Sequence, residues 1–313
     1  MIDLTVDLCG VRLANPTVLV SGILGTGDAL MARVARAGAA AVTTKSCSLQ
    51  PRLGHLNPTV LQSGPAMLNS IGLSNPGVDE EIEVLHRLRQ TLSPDRAVIA
   101  SVFADTVANF GKVAARVCEG GPDLLEVNIS CPNVEAEFGC MFSADADLAA
   151  EVTRAVKASS SVPVIIKLSP NVADIRHIAR AVEAAGADAI SAINTVGPGM
   201  VIDVASGRPV FPHGEGGMSG PVILPLAVRH VYSICSAVSI PVIGMGGVGS
   251  GADAMQMVMA GATAVGIGSA IAQQGLQVFE RVTRELEELL CLRGYASLAD
   301  VRGCAQRWMR ADA

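Results

Sequence analysis

Val242-Ile243-Gly244-Met245-Gly246-Gly247-Val248-Gly249-Ser250-Gly251 leads through Ala252–Ala260 and the step Ala260-Gly261-Ala262 into Ala264-Val265-Gly266-Ile267-Gly268-Ser269. A short apolar run ends in paired glycines, a helical run follows, a glycine turns the chain, and a second apolar run ends in Gly-Ser. Runs that are apolar at nearly every position mark strands buried on both faces. The segment therefore reads as a parallel strand–helix–strand unit. Ala254–Phe279 carries no charge, but four glutamines and four glycines interrupt it, so it reads as helix, buried strand and helix and not as a membrane span.

The same unit recurs upstream. Short β-prone runs at Thr17–Ser21, Ala41–Lys45, Val98–Phe103, Leu124–Asn128, Val164–Leu168, Ala189–Asn194, Val242–Gly246 and Ala264–Gly268 each precede helical stretches. Those stretches are Asp28–Ala37, Val78–Leu92, Val107–Cys118, Asp147–Ala158, Asp174–Ala185, Val222–Ala237, Ala252–Ala260 and Leu276–Arg293. Asp28, Asp147 and Asp174 stand near helix starts, where a carboxylate satisfies free backbone N–H groups. Gly38, Gly186 and Gly261 follow helix ends, where a left-handed residue is wanted. Eight such units predict an α/β fold, an eight-stranded parallel (β/α)8 TIM barrel, with a doubly wound open sheet as the alternative. Leu4–Leu8 and Val11–Leu13, around Cys9-Gly10, read as an N-terminal β-hairpin. No Pro- or Ser-rich linker divides the chain, so residues 1–313 read as a single domain. The longest irregular segments, Gln50–Gly77, Cys131–Ala146 and Val196–Gly220, all follow strands, on the face where barrels place active sites.

Composition narrows the class further. Of 313 residues 50% are hydrophobic but only 3% aromatic, so small and β-branched side chains must fill the core, against an aromatic-rich β-sandwich. The net charge of −6 offers no footprint for a phosphate backbone, which disfavours nucleic acid. None of the eight cysteines forms a C-x-x-C pair, so neither zinc nor an iron–sulfur cluster is expected on this chain, and no histidine pair shows metal spacing. The first residues lack the basic start and apolar run of a signal peptide, and the expected location is the cytoplasm.

The strand ends carry the chemistry. They read Ser21, Lys45-Ser46, Ser101, Asn128, Lys167, Asn194-Thr195, Gly246-Gly247 and Gly268-Ser269. A lysine ending a buried strand is costly unless an anion meets it, so two of them predict an anionic ligand or cofactor. Glycine-rich turns that open a helix after strands seven and eight make a phosphate cradle from backbone N–H groups. Asn128-Ile129-Ser130-Cys131-Pro132-Asn133 begins a long loop; asparagines offer both donor and acceptor to an amide-like ring. A thiol with a reference pKa near 8.5 is slightly ionised at neutral pH and serves as base or nucleophile. Cys131 suits that role better than Cys118 and Cys235, which fall in helices, or Cys9 and Cys47, which read as structural.

These residues resemble dihydroorotate dehydrogenase, a flavin mononucleotide enzyme of pyrimidine synthesis. The resemblance rests on Thr43-Thr44-Lys45-Ser46, Met67–Gly77, Asn128–Asn133, Ile166-Lys167-Leu168, Asn194-Thr195, Gly217-Met218-Ser219-Gly220-Pro221 and Gly244–Val248, and runs from about Leu4 to Phe279. The Ser-Cys-Pro-Asn loop is similar to the cytosolic class with a cysteine base, and Met67–Leu73 resembles its NAD-linked heteromeric branch. The resemblance implies that Cys131 removes the C5 proton of dihydroorotate while hydride passes from C6 to flavin N5. It implies that Lys45, Asn69, Asn128, Asn133, Asn194 and Thr195, with the backbone of Ser70, Ile71, Gly72 and Leu73, hold the substrate. Lys167 would stabilise the reduced flavin near its N1–C2=O edge. Ser21, Ser46, Ser101, Ile193, Gly220, Gly246, Gly247, Gly268 and Ser269 would bind FMN together with Lys45, Asn128 and Lys167. A homodimer is implied, along with a partner subunit carrying FAD and a [2Fe-2S] cluster. Ser101 stands where many relatives have asparagine, Gln62–Ala66 lacks the branch's acidic pattern, and Cys140 shares the loop of Cys131. A dehydrogenase for another pyrimidine and a non-redox sugar-phosphate barrel are the alternative readings. Of the remaining features, Glu280–Glu288 reads as a solvated helix face and Arg302–Arg310 as a mobile basic tail.

Overall fold

The structure is a computed structural model that describes residues 2–130 and 142–311. Strands β1 (Val6–Leu8) and β2 (Val11–Leu13) pair antiparallel as the expected hairpin, with Leu8 and Leu13 fully buried. Eight parallel strands then close a barrel: β3 (Thr17–Leu19), β4 (Ala41–Thr43), β7 (Ala97–Val102), β8 (Leu124–Asn128), β9 (Val164–Lys167), β10 (Ala189–Ala192), β15 (Val242–Met245) and β16 (Ala264–Ile267). Each pairs with the next, and β16 returns to β3. The open-sheet alternative is thereby set aside.

The helices of the strand–helix units fall where the amphipathic runs lie. They are α1 (Asp28–Arg36), α2 (Val78–Thr91), α3 (Val107–Cys118), α4 (Ala146–Lys157), α5 (Ile175–Ala184), α6 (Leu224–Cys235), α7 (Gly251–Ala260), the short α8 (Ala270–Gln274) and α9 (Val278–Leu292). Asp174 caps α5 by accepting from the Arg176 backbone N–H. For α4 the cap is Asp145 and not Asp147; its carboxylate takes the N–H groups of Asp147 and Leu148, and Asp147 sits in the first turn. Gly38, Gly186 and Gly261 adopt φ of 109°, 98° and 122°, the left-handed turn that ends each helix without Cβ strain.

Two segments expected to be irregular instead build a sheet over the barrel mouth. Gln50–Gly77 contains β5 (Val60–Ser63) and β6 (Ala66–Asn69); Val196–Gly220 contains β11 (Val196–Gly199), β12 (Ile202–Asp203), β13 (Arg208–Pro209) and β14 (Gly216–Ser219). The sheet order is β11-β14-β6-β5, and its central pairing joins Ser219 to Met67 and Gly217 to Asn69. Ala66, Leu68 and Phe211 form its own small core. Strands of two to four residues leave no periodicity to read, and here partners far apart in sequence supply the order.

The chain end also departs from expectation. Residues Arg302–Arg310 are not a free tail: after α10 (Leu298–Val301), helix α11 (Cys304–Ala311) packs against the barrel helices, and Gln306 Nε2 donates to the Ala260 carbonyl at 2.9 Å. The buried core runs from Leu4 to Val301 and is mostly Val, Ile, Leu and Ala, as the low aromatic content requires.

Candidate active site

Strand register sorts the side chains at the mouth. Ser101 lies beside Glu126, Asn128 beside Lys167, and Lys167 beside Ser191, so one face of β7–β10 is polar. The alternating residues Leu125, Val127, Ile166 and Ile190 are buried apolar, as a two-residue period demands. The polar face ends in a cavity of about 650 Å³, within the range of roughly 300–1,000 Å³ usual for cofactor and small-molecule sites. Most described residues lining it come from a strand near its C-terminal end, from the loop behind such an end, or from the mouth sheet and its loops; Ile223 before α6 and Ile271 and Ala272 of α8 are added from helical turns.

Both lysines reach this cavity: Lys45 behind β4 and Lys167 at the end of β9. Asn69 enters from the mouth sheet, and its Nδ2 donates to the Gly217 carbonyl at 3.3 Å. A Cβ at Gly217 would overlap the Thr195 side chain, so glycine there lets the sheet settle onto the site. Ile71, Gly72 and Leu73 line the wall, whereas Ser70 is buried behind it with its hydroxyl 3.2 Å from His55 Nδ1. His55 in turn stacks on His213, 4.0 Å between ring centroids, joining the two mouth segments.

Asn128 and Asn194 line the cavity and share one clamp. Asn128 Oδ1 accepts from the Ser130 hydroxyl at 3.0 Å, and Asn194 Nδ2 donates to the Ser130 Oγ at 2.7 Å. Thr195 donates its N–H to Asn194 Oδ1 at 2.8 Å. Ser130 is thus fixed at the rim. Cys131, Asn133 and Cys140 lie outside the described residues.

Ser21, Ser46, Ile193, Gly246, Gly247, Gly268 and Ser269 line the same cavity. A Cβ on Gly246 would meet Ala227 Cβ at 2.7 Å, and one on Gly247 would meet Leu224 and the Gly220 carbonyl within 2.9 Å. Only glycine fits this turn, which leads to the N-terminus of α7. Gly220 and Ser101 lie behind the wall: Gly220 backs the Gly247 turn, and the buried Ser101 hydroxyl meets Ser46 Oγ at 2.8 Å. The loop Gly22–Thr26 after β3 also lines the cavity and was not singled out from sequence, whereas Met67, Ser219, Met245 and Val248 lie in stretches that carried the resemblance but were given no role. A profile described as dihydroorotate dehydrogenase matches residues 3–290.

The chain belongs to the dihydroorotate dehydrogenase family. It is 41% identical over 302 residues to dihydroorotate dehydrogenase B (NAD(+)), catalytic subunit, of Methanothermobacter thermautotrophicus, covering 96% of this chain and 98% of that protein. It is 43% identical to the same-named subunit of Methanosarcina mazei, over 95% and 94% of the two chains. Dihydroorotate dehydrogenase A (fumarate) of Lacticaseibacillus paracasei is 45% identical, over 85% of this chain and 91% of that one. The fold matches a dihydroorotate dehydrogenase from Eimeria tenella solved in complex with ferulenol, with a TM-score of 0.85 at 21% identity, over 97% and 89% of the chains.

Three cysteines among the described residues, Cys9, Cys47 and Cys235, are weak candidates for a reactive thiol. Burial pushes Cys47 well above the ordinary thiol range, Cys9 up to about 11 and Cys235 up to about 12, which leaves little thiolate at neutral pH. Behind Lys45 lies a buried carboxyl, Glu81 of α2, 1% exposed, whose Oε1 has no hydrogen-bond partner among the described residues. Desolvation raises it to about 7, although the Thr44 hydroxyl and the Lys45 ammonium pull it down. The unfolded chain releases this proton near the ordinary 4.5, the folded protein only near 7. Between these values the unfolded state binds fewer protons, so stability falls as pH rises from about 4.5 to about 7 and then levels, a loss of about 3 kcal/mol. Glu81→Gln removes this slope and is more stable than the parent at pH 8. Urea midpoints of the two proteins at pH 5 and pH 8 check it; parallel shifts would refute it.

Proposed function

We propose that this chain, acting as one catalytic domain, oxidises (S)-dihydroorotate to orotate with bound FMN, in the cytoplasm, as the redox step of pyrimidine synthesis. The observation that carries the reading is a single cavity with a glycine cradle on one wall and two lysines with three asparagines around it. A cradle of backbone N–H groups suits a phosphate, and the space and donor set beside it suit a flavin ring and an anionic amide ring together. FMN, when bound, supplies the two-electron acceptor for the hydride that leaves C6.

The chain's own residues do the rest. Lys45 meets the substrate carboxylate, and Asn69, Asn128, Asn133, Asn194 and Thr195 pair the ring's amide edges, with the backbone of Ser70–Leu73 closing the wall. Cys131, as thiolate, takes the C5 proton as the C6–H bond breaks, and the electron pair of the C5–H bond becomes the C5=C6 double bond. Lys167 would sit near the flavin's N1–C2=O edge, where its ammonium would stabilise the reduced ring. Ser21, Ser46, Ser101, Ile193, Gly220, Gly246, Gly247, Gly268 and Ser269 hold FMN, with Ser101 and Gly220 acting from behind the wall. The mouth sheet excludes water from above.

Re-oxidation is assigned to a partner subunit carrying FAD and a [2Fe-2S] cluster, joined to a homodimer of this chain. Relatives named as catalytic subunits of NAD-linked enzymes support this, and so does the lack of any C-x-x-C pair in the sequence. Among the described residues no helix is long and apolar enough to cross a membrane.

The purified protein is expected to be yellow, and its visible absorbance is expected to bleach on anaerobic addition of dihydroorotate but not of dihydrouracil. Bleaching by dihydrouracil would favour a different pyrimidine. Colourless protein that takes up no FMN would overturn the reading. Copurification of a cysteine-rich chain supports the assigned acceptor; rapid turnover of the isolated chain with fumarate contradicts it.

A further inference from the structure

Barrel interiors are ordinarily filled by branched apolar side chains. Here the middle of β8 carries a carboxylate, Glu126, which is 2% exposed. Lys167, also buried, approaches it with Nζ 3.5 Å from Oε1. Ser191 donates to Oε2 at 2.8 Å from β10, and Ser101 donates to Oε1 at 3.4 Å from β7. The Ser101 hydroxyl continues to Ser46 Oγ at 2.8 Å, and Ser46 to Ser21 Oγ at 3.3 Å. Asn128 Nδ2 joins the same chain at Ser46 Oγ, 3.4 Å away. Lys167, Ser46, Ser21 and Asn128 all line the cavity, whereas Glu126 does not.

A buried ion pair is a poor way to gain stability, since apolar residues of like volume do as well or better. Three strands nevertheless converge polar groups on this one carboxylate. The pair is longer than a tight charge-assisted hydrogen bond, and an ammonium carries three donors, so Lys167 retains capacity toward the cavity.

We propose that Glu126 is a positioning residue: it holds the Lys167 ammonium aimed at the cavity wall, and thereby sets how readily the bound flavin is reduced. The inference rests on the flavin reading above. It assigns the carboxylate no contact with flavin or substrate; its effect passes through Lys167. Without Glu126 the buried ammonium loses the partner that orients it and turns away. The flavin then loses a stabilising positive charge held in place.

The test measures the reduction equilibrium of bound flavin, by dye-equilibrated titration at pH 7, in a double-mutant cycle. Glu126→Gln is expected to lower the two-electron equilibrium constant roughly tenfold, about 30 mV. Lys167→Met is expected to lower it at least as much, and Glu126→Gln added to Lys167→Met is expected to change it little. Ser191→Ala, which removes one anchor of the carboxylate and keeps both charges, shifts it the same way by about threefold, and carries the test if Glu126→Gln fails to fold. In flavin-free protein the melting temperature falls with Glu126→Gln and recovers in the double variant. An unchanged or raised equilibrium constant, or an equal shift with and without Lys167, overturns the proposal while leaving the flavin reading intact. Parent protein that takes up no flavin overturns that reading and this inference with it.

Discussion

Cys131→Ser is expected to slow anaerobic flavin reduction by dihydroorotate by roughly 10²–10⁴-fold at neutral pH, the usual range for loss of a general base. A serine hydroxyl is a far weaker acid than a thiol of reference pKa near 8.5, so at pH 7 almost no alkoxide exists to take the proton. The pocket should survive the change. Ser130, next to it, is held by Asn128 and Asn194 through bonds that involve neither the thiol nor the loop beyond. Flavin content and the resting spectrum are therefore expected to be unchanged, and the variant's rate is expected to rise steeply only at high pH. Stopped-flow absorbance across pH 6–10 checks both points, and an unaltered rate at pH 7 would remove Cys131 from the mechanism.

Gly247→Ala is expected to yield folded protein with at least tenfold less bound flavin. Gly247 holds φ at +78°, a conformation that costs an L-residue roughly 1–2 kcal/mol. The new Cβ would also lie 2.8 Å from Leu224 N and Cβ and 2.9 Å from the Gly220 carbonyl. Backbone atoms on two sides cannot yield as a side-chain tip does, and such overpacking costs about 1–3 kcal/mol more. The turn must shift, and the N–H groups of the proposed phosphate cradle shift with it. Gly121→Ala is the control: its φ is +67°, but nothing lies within 4 Å of the added carbon, so it carries the strain and not the collision. Flavin content by absorbance ratio, with circular dichroism for the fold, separates the two. Full flavin retention in Gly247→Ala would end the cradle assignment.

The barrel was legible because a strand buried on both faces leaves an apolar run, and because glycine and aspartate punctuation recurs in several of the units. The same local signals stop short of geometry. Asp145 and Asp147 both fall at the start of α4, and only the fold shows that Asp145 precedes the helix and turns back onto the free N–H groups while Asp147 sits in the first turn. The mouth sheet was unreadable for a different reason. A strand such as Val196-Gly-Pro-Gly199 has no intrinsic preference for extended pairing and is ordered by β14 across the sheet.

Of the site, the lysines, asparagines and glycines were visible as polar or flexible residues at the ends of apolar strands, and the cavity gathers them. The buried carboxylates were missed. Glu126 did leave a trace: it interrupts Leu124-Leu125-Glu126-Val127-Asn128 in the middle of a strand that should be apolar. A charge there demands a partner within the protein. The expectation that both lysines need an external anion is accordingly incomplete, since Lys167 already has one in Glu126. Glu81 left less, being one acid among three at the start of an amphipathic helix.

The N-terminal hairpin packs Leu8 and Leu13 into the core and reaches the start of β10, where Cys9 Sγ donates to the Asp188 carbonyl, whereas the described lining of the cavity gathers at the ends of the strands. Among the described residues, substrate and flavin would share the one cavity at the strand ends, so arrival and departure would use the same side of the barrel. A small soluble oxidant that has to touch the isoalloxazine must queue there until orotate is gone, which imposes turn-taking on the two half-reactions. An electron relay stationed outside the wall faces no such queue, and could drain the flavin while the pyrimidine is still in its seat.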